Sequence, residues 1–146
     1  MSKAFQALLT GMFITFILDF FLFLGVLLHY IEFYKIDLYY NILFVDNQNW
    51  YLFFSLSIIF GWMVIYIKNY KVSLIPIVII SIFTFVTLFE DFGYMVGEMM
   101  FMKENITLRS AKFTYIGNII YEGREEITFY RSDISKIVTL KKKDLI

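Results

Sequence analysis

The chain has 146 residues, of which 60% are apolar and 21% aromatic, well above the roughly 45–50% apolar content of soluble domains. Thirteen basic residues balance 13 acidic ones, which excludes a large basic field for binding nucleic acid. The chain has no cysteine, which excludes disulfides, thiolate nucleophiles and cysteine-ligated metals.

Three apolar runs are long enough to cross a bilayer, which takes about 20 helical residues. They cover residues 4–30, 49–68 and 72–89. Lipid offers no partner to an unpaired backbone group, so each run is predicted to be a helix. The first run is too long for a signal-peptide core and shows no Ala-x-Ala cleavage site, so we expect it to be retained. Residues 1–103 therefore form a predicted membrane all-α bundle of three transmembrane helices.

The connections between these runs differ in length and character. Residues 31–48 mix charged and apolar side chains and are expected to lie along the membrane interface. Their polar end, 46–49, predicts a helix cap at Asp46 or Asn47. Residues 69–71 are so short a link that the second and third helices should form an antiparallel hairpin. The apolar stretch 92–103 either continues the third helix or forms an interfacial helix.

The last segment, residues 104–146, has a β pattern and is predicted to be a short antiparallel β-rich extramembrane tail. Ile127 and Phe129 alternate with Thr128 and Tyr130, as expected for a strand with two different faces. The dipeptides at 117–118 and 122–123 are both interpreted as turns. About 40 residues is a marginal size for an independent fold, so this module is expected to pack on a partner or on the membrane part.

The distribution of lysines predicts the membrane orientation. Lys3, Lys68 and Lys71 lie close to span ends on the side of the N-terminus, whereas the other side has Lys35. Cytoplasmic loops carry an excess of basic residues near span ends. This favours a multi-pass protein of the bacterial inner membrane, with the N-terminus in the cytoplasm and the tail outside.

One acidic residue, Asp19, interrupts the first apolar run and defines the candidate site. Thr15 and Gly11 precede it at intervals of four, so all three share one helix face, and small residues at this spacing let another helix approach. We expect Asp19 near mid-membrane, converging with polar or small residues of the other helices. The predicted packing site consists of Gly11, Thr15, Asp19, Ser57, Gly61, Ser81 and Thr84.

No lysine or arginine lies within a predicted span, so Asp19 has no cationic partner inside the membrane in its own chain. The sequence leaves three possibilities for its protonation and partner. An unpaired charge at mid-membrane costs about 2.5–3.5 kcal/mol on insertion scales. The acid is therefore neutral and hydrogen-bonded to a serine or threonine, or charged in a wet cavity or ion path, or paired with a cation of another subunit.

Catalytic motifs are absent from the sequence: there is no G-x-S-x-G, H-E-x-x-H, P-loop or dinucleotide fingerprint. The single histidine, His29, cannot by itself form a metal site. The sequence predicts a non-enzymatic accessory or assembly subunit of a membrane complex, without cofactor or metal. Its expected partners are the lipid bilayer and a membrane protein or a second copy, but no nucleic acid. The first alternative is a proton- or cation-conducting or gating protein that uses Asp19, and the second is a sensor that couples binding by the tail to the helix bundle.

The tail contains ITLRSAKFTYIG at 106–117 and ITFYRSDISKI at 127–137. This pattern of an apolar strand, a glycine turn and a second strand with an I-x-[FW]-x-x-x-D-I-x-x-I-like motif resembles bacterial membrane-attached pleckstrin-homology-like modules. The resemblance covers about residues 106–140 and implies a strand-built domain. Those domains are longer, end in a helix and are usually cytoplasmic, which opposes the orientation predicted from the lysines. No functional residue is carried over.

Overall fold

The computed structural model describes residues 2–110 and 113–145, and there it has five helices followed by a four-stranded antiparallel sheet. This confirms the predicted order of a helical part and a β-rich tail. The helices are α1 (Lys3–Val26), α2 (Tyr40–Asn47), α3 (Trp50–Tyr66), α4 (Tyr70–Val86) and α5 (Glu90–Phe101), and a π-helical turn (Leu27–Ile31) continues α1. The strands are β1 (Lys103–Arg109), β2 (Thr114–Glu122), β3 (Glu126–Arg131) and β4 (Lys136–Lys141), followed by a 3₁₀ turn (Lys142–Asp144).

The chain divides into two compact units, Met1–Tyr94 and Met95–Ile146. The boundary falls inside α5. The first unit therefore contains α1 to α4 and the first turn of α5, and the second contains the rest of α5 and the sheet.

One helix of the described residues is long and apolar enough to cross a membrane by itself. It comprises α1 and the π turn, Lys3–Ile31, which together have 29 residues. Two helix pairs meet the same criteria if each counts as one bent span: α2 with α3 at an angle of 85°, and α4 with α5 at 97°. Because α5 turns away from α4 at nearly a right angle, residues 92–103 do not continue α4, which is the third predicted span.

α1 packs mainly against α3 and also contacts α4, while α3 and α4 form the predicted hairpin. Asparagine side chains start both hairpin helices. Asn49 Oδ1 accepts a hydrogen bond from the Leu52 N–H at 3.1 Å, and Asn69 Oδ1 accepts one from the Lys71 N–H at 3.1 Å. The predicted cap at Asp46 or Asn47 is wrong because both residues lie inside α2.

The sheet is a meander in the order β1-β2-β3-β4, with every neighbouring pair antiparallel. The turn predicted at 122–123 is confirmed: the Gly123 N–H donates to the Glu126 carbonyl at 2.9 Å. The turn predicted at 117–118 is wrong, since Gly117 lies inside β2 and pairs with both Ile106 and Arg131. A Cβ atom at Gly117 would overlap the Tyr130 carbonyl oxygen, which explains why a strand carries glycine there.

The sheet is curled, because Ser110 at the end of β1 pairs with Leu145 after β4. Its interior is a cluster around Ile119, Ile127 and Phe129, and Phe129 is completely buried. Partly buried apolar residues from the other strands complete this core: Ile106, Leu108, Tyr115, Val138, Leu140 and Leu145. Ile116 and Ile137 alternate with core residues and lie on the opposite face, where they are 58% and 47% exposed.

Candidate functional site

Glycines bring α1 and α3 into backbone contact. A Cβ atom added to Gly11 would overlap the Ser57 carbonyl, and one added to Gly61 would overlap the Ala7 carbonyl. The clashing atoms belong to the backbone, so no side-chain rotation can relieve them. The structure thus brings Gly11, Ser57 and Gly61 together, and it shows α1 and α3 running antiparallel.

The two hydroxyl groups beside this contact differ in their hydrogen bonding. Ser57 is completely buried, and its Oγ donates to the Phe53 carbonyl of its own helix at 2.7 Å. Thr15 is also completely buried, but among the described residues its Oγ1 has no hydrogen-bond partner. A buried hydroxyl without a partner costs about 1–3 kcal/mol, so Thr15 requires an explanation.

Asp19 lies beside the start of α3, where its Oδ2 accepts a hydrogen bond of 2.8 Å from Gln48 Nε2. The carboxylate also acts electrostatically on the phenol of Tyr40 in α2, whose hydroxyl donates to the Phe20 carbonyl at 3.2 Å. The amide oxygen of Gln48, Oε1, is buried and without a partner in the described part of the chain. Asp19, Gln48 and Tyr40 thus form a polar cluster at the junction of α1, α2 and α3.

The predicted convergence of Asp19 with Ser57 is wrong, because Ser57 faces Gly11, eight residues or about 12 Å along α1 from Asp19. Within the described residues, Asp19 also makes no hydrogen bond to a hydroxyl group of α4, the third predicted span. Ser81 Oγ donates to the Ile77 carbonyl at 2.8 Å, and Thr84 Oγ1 donates to the Ser81 carbonyl at 3.0 Å, both within α4. Sequence reasoning missed Gln48, although its position in the polar 46–49 stretch marks it as a possible partner.

A second close contact, between α1 and the end of α4, was also missed. A Cβ atom at Gly25 would overlap Thr87, and one at Gly93 would overlap the carbonyls of Thr87 and Gly25. The His29 ring secures the same corner, because its Nε2 lies 2.8 Å from the Leu88 carbonyl oxygen and must donate to it. The single histidine therefore joins the π turn to the α4–α5 corner.

A small open cavity of about 240 Å³ adjoins this corner, lined by His29, Phe33, Glu90, Asp91 and Tyr94. Tyr94 also contacts Tyr34, and the two hydroxyl oxygens are 2.6 Å apart. No group of three or more His, Cys, Asp or Glu side chains able to hold a metal occurs within residues 2–110 and 113–145. The described residues thus offer this cavity no such ligand set.

In the second unit, Glu122 bridges two lysines. Its carboxylate oxygens accept hydrogen bonds of 2.9 Å from Lys103 and from Lys142. The hydrogen bond from Lys103, and next the one from Lys142, hold the pKa of the Glu122 carboxyl below its ordinary value. The bridge connects β1 and the end of β4 through β2, so it supports the curled form of the sheet.

A shallow groove of about 460 Å³ lies beside this bridge. It is lined by Arg124, Glu125, Glu126, Lys141, Lys142 and Lys143. Four basic and two acidic side chains give it a positive surplus, which is the type of surface that anionic headgroups favour.

No protein-family model matches the chain, and neither does a curated protein or a solved structure. The resemblance of the tail to pleckstrin-homology-like modules therefore stays a prediction.

Proposed function

We propose that the chain is a small multi-pass membrane protein and a non-enzymatic accessory subunit of a larger membrane complex. In this proposal α1, α3 and α4 cross the bilayer, and the curled sheet contacts a partner in water. The observation that carries it is the distribution of exposed apolar side chains.

Large apolar side chains cover the outward faces of the three helices, where a protein in water would carry polar residues. They include Phe5, Leu8, Leu9, Phe13 and Phe16 on α1; Phe54, Ile58, Ile59 and Trp62 on α3; and Val72, Leu74, Ile75, Val78, Ile79, Ile82 and Phe83 on α4. Their exposure ranges from 37% for Leu8 to 65% for Phe13. Contact with lipid tails accounts for such a surface.

The lengths of the helices agree with this proposal. α3 and α4 have 17 residues each, which gives each helix a length of about 26 Å. The bilayer core is about 30 Å thick, and 17 residues is the lower limit for spanning it. Because α2 and α5 meet α3 and α4 at angles of 85° and 97°, they would lie close to the membrane plane as interfacial helices.

The contacts of α1 support a revised depth for Asp19. Gln48 directly precedes the cap of α3, so the carboxylate lies at the level where α3 begins. If α3 spans the bilayer, Asp19 is near one membrane surface instead of the middle. A carboxylate costs far less there than at the centre.

The second unit supplies the proposed contact with a partner protein. Ile116 and Ile137 are exposed on the outer face of the sheet, although β-branched apolar residues are normally buried. Paired with an apolar surface of a partner, both side chains would leave water.

The lysine distribution favours a tail outside the cytoplasm, and Lys3, Lys68 and Lys71 on the cytoplasmic side.

Topology is tested by labelling single cysteines, since the natural chain has none. We expect cysteines at Ser2 and Asn69 to react with a membrane-impermeant maleimide from the cytoplasmic side only. Cysteines at Asn41 and Ser135 should react from the opposite side only, and one at Ile79 from neither. Labelling of Ser2 and Ser135 from the same side would refute an odd number of spans.

The subunit role is tested by the mass of the particle extracted from native membranes in mild detergent. We expect a complex larger than the chain, and its dissociation in the Ile116→Lys/Ile137→Lys variant. Phe113→Lys, which replaces an apolar residue with 63% exposure outside this pair, is the matched control. A wild-type particle containing only one copy of the chain contradicts the role.

A further inference from the structure

We propose that Asp19, Thr15 and Gln48 form a binding site for one monovalent cation, with Na⁺ as the chemically matched ion. This inference concerns the polar cluster itself and does not rest on the topology or on the partner of the tail.

Two buried oxygen atoms have no hydrogen-bond partner in the described part of the chain, and they belong to two different elements that both adjoin Asp19. Thr15 Oγ1 lies on α1, and Gln48 Oε1 lies at the break between α2 and α3. Thr15 is 0% exposed. Because most buried polar atoms in proteins are hydrogen-bonded, both oxygens are available to a bound ligand.

Asp19 joins these two atoms into one site. It follows Thr15 by four residues, which places the two side chains on the same helix face about 5–6 Å apart at Cβ. It is hydrogen-bonded to Gln48 through Oδ2, which leaves Oδ1 for another ligand. The hydroxyl of Thr15 therefore lies one helical turn from the carboxylate, and the amide of Gln48 is hydrogen-bonded to that carboxylate.

The charge of the cluster selects a monovalent cation. No ion pair involving Asp19 is found within residues 2–110 and 113–145, so in its ionised form the carboxylate has one negative charge that a bound cation would compensate. Oxygen ligands suit hard cations, whereas Ca²⁺ sites usually combine several carboxylates. A single carboxylate with two neutral oxygens matches a single positive charge.

The break between α2 and α3 adds to the argument. α2 ends at Asn47, and Gln48 has an extended backbone with φ −67° and ψ 121°. The last carbonyl groups of a helix carry partial negative charge. The end of α2 would therefore favour a cation beside Gln48.

The test is the thermal unfolding of the full-length protein in detergent, followed by tryptophan fluorescence at constant pH and ionic strength. We expect the unfolding midpoint to rise saturably as NaCl replaces choline chloride, by about 5–10 °C at a hundredfold excess over the dissociation constant. Thr15→Val and Asp19→Asn should abolish this rise, whereas Thr15→Ser should retain it. Thr84→Val, which removes a buried hydroxyl bonded within α4, is the matched control and should also retain it.

The sign of the Thr15→Val effect provides a second criterion. If the site holds no ion, the valine removes an unpaired hydroxyl and should raise the midpoint equally in both salts. That result, or a wild-type midpoint independent of Na⁺, would overturn the proposal. If Thr15→Val does not fold, equilibrium binding of ²²Na⁺ to the wild type and to Asp19→Asn decides instead: about one ion bound by the wild type alone supports the site, and equal binding refutes it.

Discussion

Replacing Gly11 by alanine should destabilise the helical unit, although alanine is the better helix former. The added methyl group would overlap the carbonyl group of Ser57 and approach the backbone N of Gly61. Overpacking of this kind costs about 1–3 kcal/mol, and we expect the upper part of that range, about 2–3 kcal/mol, because the clashing backbone atoms leave little room for relief. Alanine recovers about 1 kcal/mol through its higher helix propensity. The expected net loss is about 1–2 kcal/mol, which corresponds to a fall of about 3–6 °C in the unfolding midpoint.

The assay is thermal unfolding of the purified protein in one detergent, with Phe13→Ala as the control on the same helix. Phe13 is 65% exposed, so its truncation should change the midpoint little. Gly61→Ala should cost a similar amount, because its methyl group would overlap the Ala7 carbonyl. The double variant should cost less than the sum, since one substitution already separates the helices. A midpoint raised by Gly11→Ala would refute the contact, because propensity alone would then decide the sign.

Three further predictions concern the polar cluster and the sheet. In choline chloride, Asp19→Leu should be less stable than Asp19→Asn by about 1 kcal/mol, because only asparagine still accepts the bond from Gln48; equal unfolding midpoints would contradict that bond. The two lysine partners of Glu122 lower the pKa of its carboxyl in the folded protein. The ionised carboxyl should therefore stabilise the sheet at pH values above its unfolded pKa of about 4.3. This stabilisation should be lost as the pH falls through the lower folded pKa. The side chain is 38% exposed, so the contribution is only about 0.5 kcal/mol, and denaturation of Glu122→Gln should depend less on pH between 5 and 3 than the wild type. Phe129→Ala should cost about 3–5 kcal/mol and expose the sheet amides to hydrogen exchange without changing those of α1, a prediction that fails if the sheet stays protected.

Local signals in the sequence were sufficient for the helical hairpin and the β character of the tail. The run at 49–68 became α3 at Trp50–Tyr66, and the run at 72–89 became α4 at Tyr70–Val86. Their positions follow from uninterrupted apolar residues between asparagine caps. The turn at 122–123 follows from a glycine between two alternating segments.

Long-range contacts were not visible in the sequence. Gly117 is also a glycine between alternating segments, but it lies inside a strand. It is glycine because the Tyr130 carbonyl on the neighbouring strand leaves no room for a Cβ atom. The partner of Asp19 lies 29 residues away, at Gln48. Its identity depends on the antiparallel register of α1 on α3, which is set by Gly11 and Gly61.

Under the proposed topology Asp19 lies nearer one membrane surface than its place in the sequence predicts, because the first apolar run consists of two segments that are apolar for different reasons. Near its start, Phe5 and Phe13 are 47% and 65% exposed, as expected for side chains that face lipid. Beyond Asp19, Val26 and Tyr30 are completely buried. Here the apolar residues form a core of the protein itself, of the kind found in a soluble domain.

Asp19 separates these two parts of α1. Before it, the helix packs one narrow face on α3 and exposes the other side chains; after it, Gly25 and His29 lock the helix to the α4–α5 corner. Asp19 is central when the run is counted from end to end, but in the structure it lies at the boundary between a segment with exposed apolar side chains and a segment packed within the protein. Under the proposed topology this boundary coincides with the membrane surface. There Asp19 can stay charged at low cost and attract a cation from water into the cluster with Thr15 and Gln48.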